Sequence, residues 1–279
     1  MYTLTQRGDI TCLTAPSLSE LDFLSHAFCT RVGGVSKGPF AGLNISPLEG
    51  DEPENVCENW RLLSQAFGIA KDHFFLLRQV HGDGILVLDR PLPMAPAAAD
   101  LCEPPPYDAV ITDQPGLALC IKTADCVPIF LVDPVNRVIA NVHAGWKGTA
   151  LGIARRVVTA MTERFGSKPG LILAAIGPAI GPCCYEVDEP VIRAMGQGMG
   201  CRPSLTHDRW MLDLPLINRH LLCEAGLAGE HISSVNLCTS CRKDLFFSHR
   251  RDRGRTGRQV HFLMLNEQVP IQAGIKTPN

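Results

Sequence analysis

Apolar positions in this chain fall into short blocks separated by Gly, Pro and Asp, and the blocks read as strands and helices in turn. Asp22 to Thr30 reads as a strand and runs into a glycine-rich loop, Arg31 to Gly38. Pro53 to Phe67 has acidic residues at its start and Gly68 at its end, the punctuation of a helix. His73 to Val80 and Ile85 to Leu88 read as strands flanking His81-Gly82-Asp83-Gly84, and Pro91 to Pro106 as an exposed loop. Ala109–Thr112, Leu117–Lys122, Val127–Val132 and Val138–Val142 are β-branched runs. Their near-continuous apolar character predicts strands covered on both faces. Leu151, Ala154, Val158, Met161 and Phe165 recur at helical spacing, which predicts a helix over Gly148 to Phe165. Leu171 to Ile176 and Val260 to Leu265 are further strands, and Asp188 to Met199 and Pro215 to Ala225 further helices. Strands mixed with helices, with no compositional break, predict one α/β domain over residues 1–279.

Composition supports a folded enzyme-sized core. The chain has 279 residues, 46% hydrophobic and 19% charged, which excludes a disordered chain. Its net charge of −2 excludes a globally basic protein, and no nucleic-acid partner is expected. Met1 to Leu13 lacks the apolar stretch of a signal peptide. The uncharged run Pro169 to Tyr185 is broken by glycines and prolines, so no membrane partner is expected. Twelve cysteines without a secretion signal point to reduced thiols in a cytoplasm.

Three segments place a candidate metal ligand at the end of a predicted strand: Arg78-Gln-Val-His81-Gly, Lys122-Thr-Ala-Asp-Cys126 and Asn141-Val-His143-Ala-Gly-Trp-Lys-Gly148. Strand ends in α/β proteins converge on ligand crevices, so His81, Cys126 and His143 can meet. Two imidazoles and a thiolate suit Zn²⁺ with a fourth position open, a catalytic pattern that brings bound water toward neutral acidity. The same residues suit a thiolate–imidazolium nucleophile, Cys126 with His143, its ring oriented by Asp125 or another carboxylate. Spacing leaves both chemistries open.

Other motifs are weaker. Ile176 to Glu186 carries two Gly-Pro steps and adjacent cysteines, Cys183 and Cys184, and reads as a backbone bend or a pocket wall. Cys238-Thr-Ser-Cys241 is a lone CxxC without the second pair that a zinc ribbon needs. Ser248 to Arg258 holds five arginines and two glycines, a composition suited to phosphate. Lys147, in a turn before a helix, is a further anion candidate.

Gln79-Val-His81-Gly, Thr123-Ala-Asp-Cys126, Val142 to Gly148, Ile176 to Glu186 and Phe247-Ser-His-Arg-Arg251 through Thr256-Gly-Arg258 together resemble the YfiH/PgeF family. That family is also labelled laccase-domain or multicopper polyphenol oxidoreductase, and the resemblance runs from about Phe23 to Leu265. It implies layered mixed sheets flanked by helices, similar to the cysteine-hydrolase domain of a cytotoxic necrotizing factor. It also implies zinc on His81, Cys126 and His143, phosphorolysis of adenosine, inosine, guanosine and methylthioadenosine, and an adenosine deaminase activity. The implied partners are a purine nucleoside and phosphate. Lys147, Arg250 and Arg251 are the expected phosphate-positioning groups, and Asn44 and Arg61 the pocket residues carried by resemblance. Two positions depart from the family pattern: Trp60 follows Asn59 where arginine is common, and His249 stands where tyrosine is frequent. Copper is disfavoured, because the nine histidines include no His-x-His pair. The alternatives are an amide hydrolase editing cell-wall precursors, through zinc hydroxide or Cys126, and a non-catalytic protein binding phosphate-bearing ligands.

Overall fold

The computed structural model describes residues 2–89, 104–196 and 198–267. The chain begins with a hairpin, β1 (Thr3–Arg7) and β2 (Ile10–Thr14), followed by the short α1 (Pro16–Ser19) and β3 (Leu24–Cys29). Then come α2 (Pro53–Phe67), β4 (Phe74–Leu76), β5 (Ile85–Leu88), β6 (Ala109–Thr112), β7 (Ala118–Thr123), β8 (Val127–Asp133) and β9 (Val138–Ala144). Helices α3 (Trp146–Ala150) and α4 (Ile153–Phe165) precede β10 (Leu173–Ile176), β11 (Glu186–Val187), α5 (Glu189–Met195), β12 (Cys201–Pro203) and β13 (Trp210–Leu212). The last elements are α6 (Leu214–Glu224), β14 (Ile232–Ser234) and β15 (Gln259–Leu265).

Two six-stranded sheets carry the fold, ordered β1-β2-β3-β15-β7-β4 and β14-β10-β8-β9-β6-β5, beside a small sheet β11-β13-β12. Pairing is mostly antiparallel, with β4–β7, β5–β6 and β10–β14 parallel, so both large sheets are mixed. Alternating residues of β8 sort into two cores. Phe130 and Val132 join Phe28, Ile121 and Leu263 of the first sheet. Ile129 and Leu131 face Val157 and Met161 of α4 and Leu222 of α6. On the far side of the first sheet, Phe74, Cys120 and Phe262 pack against Val56, Trp60 and Leu63 of α2. The order is therefore helix, sheet, sheet, helix, which explains why β8 and β9 are buried along their whole length and read as unbroken apolar runs. Between the sheets, Phe28 and Phe130 stack with ring centroids 4.1 Å apart. Each ring buries enough apolar surface to contribute about 2–3 kcal/mol.

Helix α2 follows its expected bounds. Pro53 sits at its first turn, and Gly68 closes it in the left-handed region at φ 66°, as helix ends favour. The helix expected over Gly148 to Phe165 is instead two. Gly152, at φ 73°, separates α3 from α4, and Leu151 is 53% exposed rather than core-facing. The β1–β2 hairpin escapes the apolar pattern because β1 is an edge strand of mostly polar, exposed residues. The expected helix over Asp188 to Met199 stops at Met195, before Gly196. Of the expected loop Pro91 to Pro106, residues 91–103 lie outside the described residues.

Candidate metal centre and its cavity

The three candidate ligands come together where the chain changes sheets. His81 lies on the crossing from β4 in the first sheet to β5 in the second, and Cys126 on the crossing from β7 to β8. His143 sits near the end of β9, paired in register with Pro128 of β8. Both crossings bend through unusual backbone: His81 has φ 59° and Asp125 φ 103°. Non-glycine residues hold such conformations only where surrounding bonds over-determine them, and here they do. Asp125 sits on the second corner, where its carbonyl accepts the Ile180 amide at 2.9 Å. Its carboxylate accepts Thr239 Oγ1 at 2.6 Å and the Arg250 amide at 2.7 Å.

The first corner is organised by Asp108, which sequence reasoning passed over. Fully buried at the entrance to β6, its carboxylate accepts the amides of Val80, His81 and Gly82 at 3.3, 3.0 and 2.7 Å. It also lies 2.8 Å from His143 Nδ1. Thus Asp108, not Asp125, orients the ring. The available signal was a charged residue opening the apolar run Ala109–Thr112.

His81, Cys126 and His143 offer ligand atoms that all lie within 4.8 Å of one another. A Cβ on Gly145 would stand 3.1 Å from Cys126 Sγ and 3.3 Å from the His81 ring, so glycine there keeps the space between the donors clear. The residues fit a Zn²⁺ ion on chemical grounds as well: two imidazoles, a thiolate, and a carboxylate behind one imidazole that fixes its tautomer.

Burial works to raise the Cys126 thiol, yet the His143 charge and hydrogen bonds from both imidazoles bring it down to about 6. Burial likewise opposes charge on His143, but the Cys126 thiolate and Asp108 push it up to about 9. The pair is therefore poised as thiolate and imidazolium, while burial drives the core histidine His26 down to about 4 and, with the charge of His143, drives His261 down to about 3. Those two are neutral packing groups. In chain treated with chelator and reductant, alkylation of Cys126 should rise with pH through about 6, where an ordinary cysteine titrates near about 8.5. Mass spectrometry across a pH series checks this. A midpoint above 8 at Cys126 contradicts the ion pair.

The centre opens into a cavity of about 470 Å³, within the range of small-molecule sites. Arg78, Lys122, Arg250 and Arg258 line it, along with Glu49, Trp146, Tyr185 and His249. Of the residues expected at the site, Arg250 is in the wall, its guanidinium 5.0 Å from the Tyr185 ring centre. Asn44 acts at one remove: it is buried, and its Oδ1 accepts the amides of Ser46 and Arg258, both cavity residues. Lys147, Arg251 and Arg61 are not among the lining residues. Lys147 is exposed over the Trp146 ring. Arg251 ties the carbonyls of Thr239 and Phe246 to Asp252. Arg61 lies on the outer face of α2, paired with Glu58 and Gln65. Trp60 is core, its indole N–H donating to the Ile45 carbonyl at 3.1 Å. Arg78 and Lys122 were missed as cavity cations, although each stands in a motif read for its neighbours; Arg258, the last residue of the arginine-rich segment read as suited to phosphate, does line the wall.

Sheet-on-sheet α/β architecture, with a His₂Cys cluster at a cation-walled cavity, has the features of a small-molecule site. Residues 25–266 match the family described as multi-copper polyphenol oxidoreductase laccase, and the chain belongs to that family. It is 37% identical over 273 residues to purine nucleoside phosphorylase YlmD of Geobacillus stearothermophilus, covering 94% of this chain and 96% of that one. It is 42% identical to a purine nucleoside phosphorylase of Deinococcus radiodurans, covering 88% and 89%. The crystal structure of YfiH from Bacillus licheniformis superposes with a TM-score of 0.86 at 35% identity, covering 95% of this chain and 99% of that one. Among the described residues no helix is long and apolar enough to cross a membrane.

Proposed function

We propose that this chain is a zinc-dependent purine nucleoside phosphorylase that also deaminates adenosine. The observation that carries the reading is that His81, Cys126 and His143 line the same cavity as Arg78, Lys122, Arg250 and Arg258. The names of the relatives in Geobacillus and Deinococcus supply the reaction class. His81, Cys126 and His143 would hold the zinc, which supplies Lewis acidity at an open position when bound.

The protein's own groups account for the rest of phosphorolysis. Guanidinium and ammonium groups are the donors that phosphate prefers, and this wall presents four of them with Glu49 as the counter-charge to Arg258, 3.1 Å away. Held there, a phosphate oxygen attacks ribose C1′. The bond from C1′ to the base nitrogen breaks with its electron pair on the base, which takes up the proton that phosphate gives. The apolar stretch of wall around Leu48, Trp146 and Leu214 suits the flat base. Lys122, largely buried, has its charged form disfavoured by burial and supported by Glu49, so a bound phosphate would restore a full partner. Asp125 also lines the wall, but its carboxylate is taken up by the Thr239 hydroxyl and the Arg250 amide.

Chromatography of a nucleoside panel, with and without phosphate and chelator, tests the proposal. Free purine should appear only with phosphate, and ammonia from adenosine should disappear with chelation. Lys122→Met should raise the phosphate KM about tenfold or more, the scale of one charge-assisted hydrogen bond, with bound metal retained. A phosphate KM within twofold of the parent would remove Lys122 from the phosphate site.

One observation favours a second reading. Cys126, His143 and Asp108 also form a thiolate–imidazolium–carboxylate series, with Asp108 Oδ1 2.8 Å from His143 Nδ1, the arrangement of a cysteine amide hydrolase. Such an enzyme survives chelation and is stopped by a thiol alkylator.

A further inference from the structure

The lone CxxC of the sequence is not alone in space. The Sγ atoms of Cys183, Cys184, Cys238 and Cys241 all lie within 4.8 Å of one another. The Cys183–Cys241 and Cys184–Cys241 separations are 3.5 and 3.4 Å. A tetrahedral zinc with Zn–S bonds of about 2.3 Å sets its sulfurs about 3.8 Å apart, so the cluster already has the dimensions of such a site. The second pair that a zinc ribbon takes from another CxxC is supplied here by two adjacent cysteines in the Gly-Pro bend, far upstream.

The backbone is arranged around the sulfurs. Gly181 donates its amide to Cys238 Sγ at 3.2 Å, and the amides of Ser240 and Cys241 bond the same sulfur. Amide donors aimed at a cysteine sulfur stabilise the thiolate that a metal needs. A Cβ on Gly181 would lie 3.3 Å from Cys238 Cβ and 3.4 Å from Cys183 Sγ, so the glycine permits the two loops to approach. Backbone contact between those loops is slight: an isolated bridge, Ala179 to Cys238, with the Thr239 amide donating to the Ala179 carbonyl at 3.0 Å.

We propose that Cys183, Cys184, Cys238 and Cys241 bind a structural zinc ion as four thiolates, separate from the His81–Cys126–His143 centre. Four protein ligands fill a tetrahedral shell and leave no position for substrate, so the site is a clamp. Binding releases the protons of the four thiols to solvent. The clamp joins the loop after β10 to the loop after β14. Both loops grip Asp125, through the Ile180 amide at 2.9 Å and the Thr239 hydroxyl at 2.6 Å. It therefore steadies the corner next to Cys126 from behind, and it does so whatever reaction the cavity performs.

The test uses the full, reduced chain and two probes. In the Cys126→Ser variant, which removes the only thiolate of the other centre, titration with Co²⁺ should give one equivalent with an intense thiolate-to-cobalt charge-transfer band. Adding Cys238→Ser should abolish that band. In the unmutated chain, one further equivalent of Zn²⁺ should slow alkylation of the four cysteines at least tenfold, read residue by residue by mass spectrometry. The exposed Cys57 and Cys223 should be unaffected. Absence of the band in Cys126→Ser, or labelling of the four cysteines that zinc leaves unchanged, overturns the proposal. So does protection that appears without metal and is reversed by reductant, which would assign a disulfide instead.

Discussion

Cys126→Ser is expected to lose the metal of the His₂Cys centre, one equivalent, together with phosphorolysis. Removing a residue that merely orients a ligand costs about 10–100-fold in metal affinity, so removing the one sulfur donor should cost well over that. The reaction should slow by about 10³-fold, because the Lewis acid supplies several kcal/mol and each factor of ten corresponds to about 1.4 kcal/mol. Serine is close in volume to cysteine, and residue 126 lines the cavity rather than the packed core, so the fold should persist. Equilibrium dialysis, elemental analysis and far-UV circular dichroism on one preparation separate these effects. His143→Ala should behave alike, for it shares the same donor set. If Cys126→Ser binds as many equivalents of metal as the parent, at unchanged affinity, the His₂Cys centre is not a metal site. If the full parent stoichiometry remains and activity vanishes, the thiol itself is the nucleophile and the amide hydrolase reading takes precedence.

Why the centre was legible before any coordinates, while its surroundings were not, follows from how each is encoded. Strand ends are marked by apolar runs, and His81, Cys126 and His143 each punctuate one, so their convergence follows from α/β topology. Helix α2 was equally plain, with proline and glycine at its two ends. Two of the cavity cations, Arg78 and Lys122, have no such mark. Arg78, Lys122 and Arg258 come from three distant segments, and only the crossing of the chain between the two sheets turns them to one wall. Conversely, the arginine-rich stretch Ser248 to Arg258 looked like one phosphate patch. Its members in fact divide among the wall (Arg250, Arg258), the staple Arg251, whose guanidinium is spent on carbonyls and Asp252, and the exposed Arg253 and Arg255. Charge composition says how many cations a segment carries but not which way they point. Short pieces such as β11, β12 and β13 left no periodicity to read, since two or three residues cannot show a period of two. The four-cysteine cluster stayed hidden for a related reason: its halves are adjacent only in space.

Asp108→Ala should destabilise the protein more than any change in the cavity wall, and loosen the metal as a consequence. The carboxylate is wholly buried and is the common acceptor for three turn amides and the ring of His143. Alanine leaves those donors in a place that water does not readily reach. Breaking a buried charged network from one side costs about 3–5 kcal/mol, a large part of the stability of a typical domain. Denaturant unfolding at pH 7 measures that loss, and metal affinity should fall by about 10–100-fold through the misoriented imidazole. Asp108→Asn separates the two effects, since an amide retains one acceptor oxygen for the turn but no charge to hold the His143 cation. It should recover part of the stability and little of the affinity. The sign of the pH dependence is fixed as well. Burial works to raise the Asp108 carboxyl, but His143 and the Gly82 and His81 amides together hold it below the usual range. Its contribution is therefore complete above about 3.9, the ordinary aspartate value, and disappears as pH falls through the depressed one. The stability gap between the parent and Asp108→Ala should accordingly be full at neutral pH and close under acid. A gap that widens on acidification, or a variant as stable as the parent at pH 7, would show that the turn holding His81 is fixed by something other than this carboxylate.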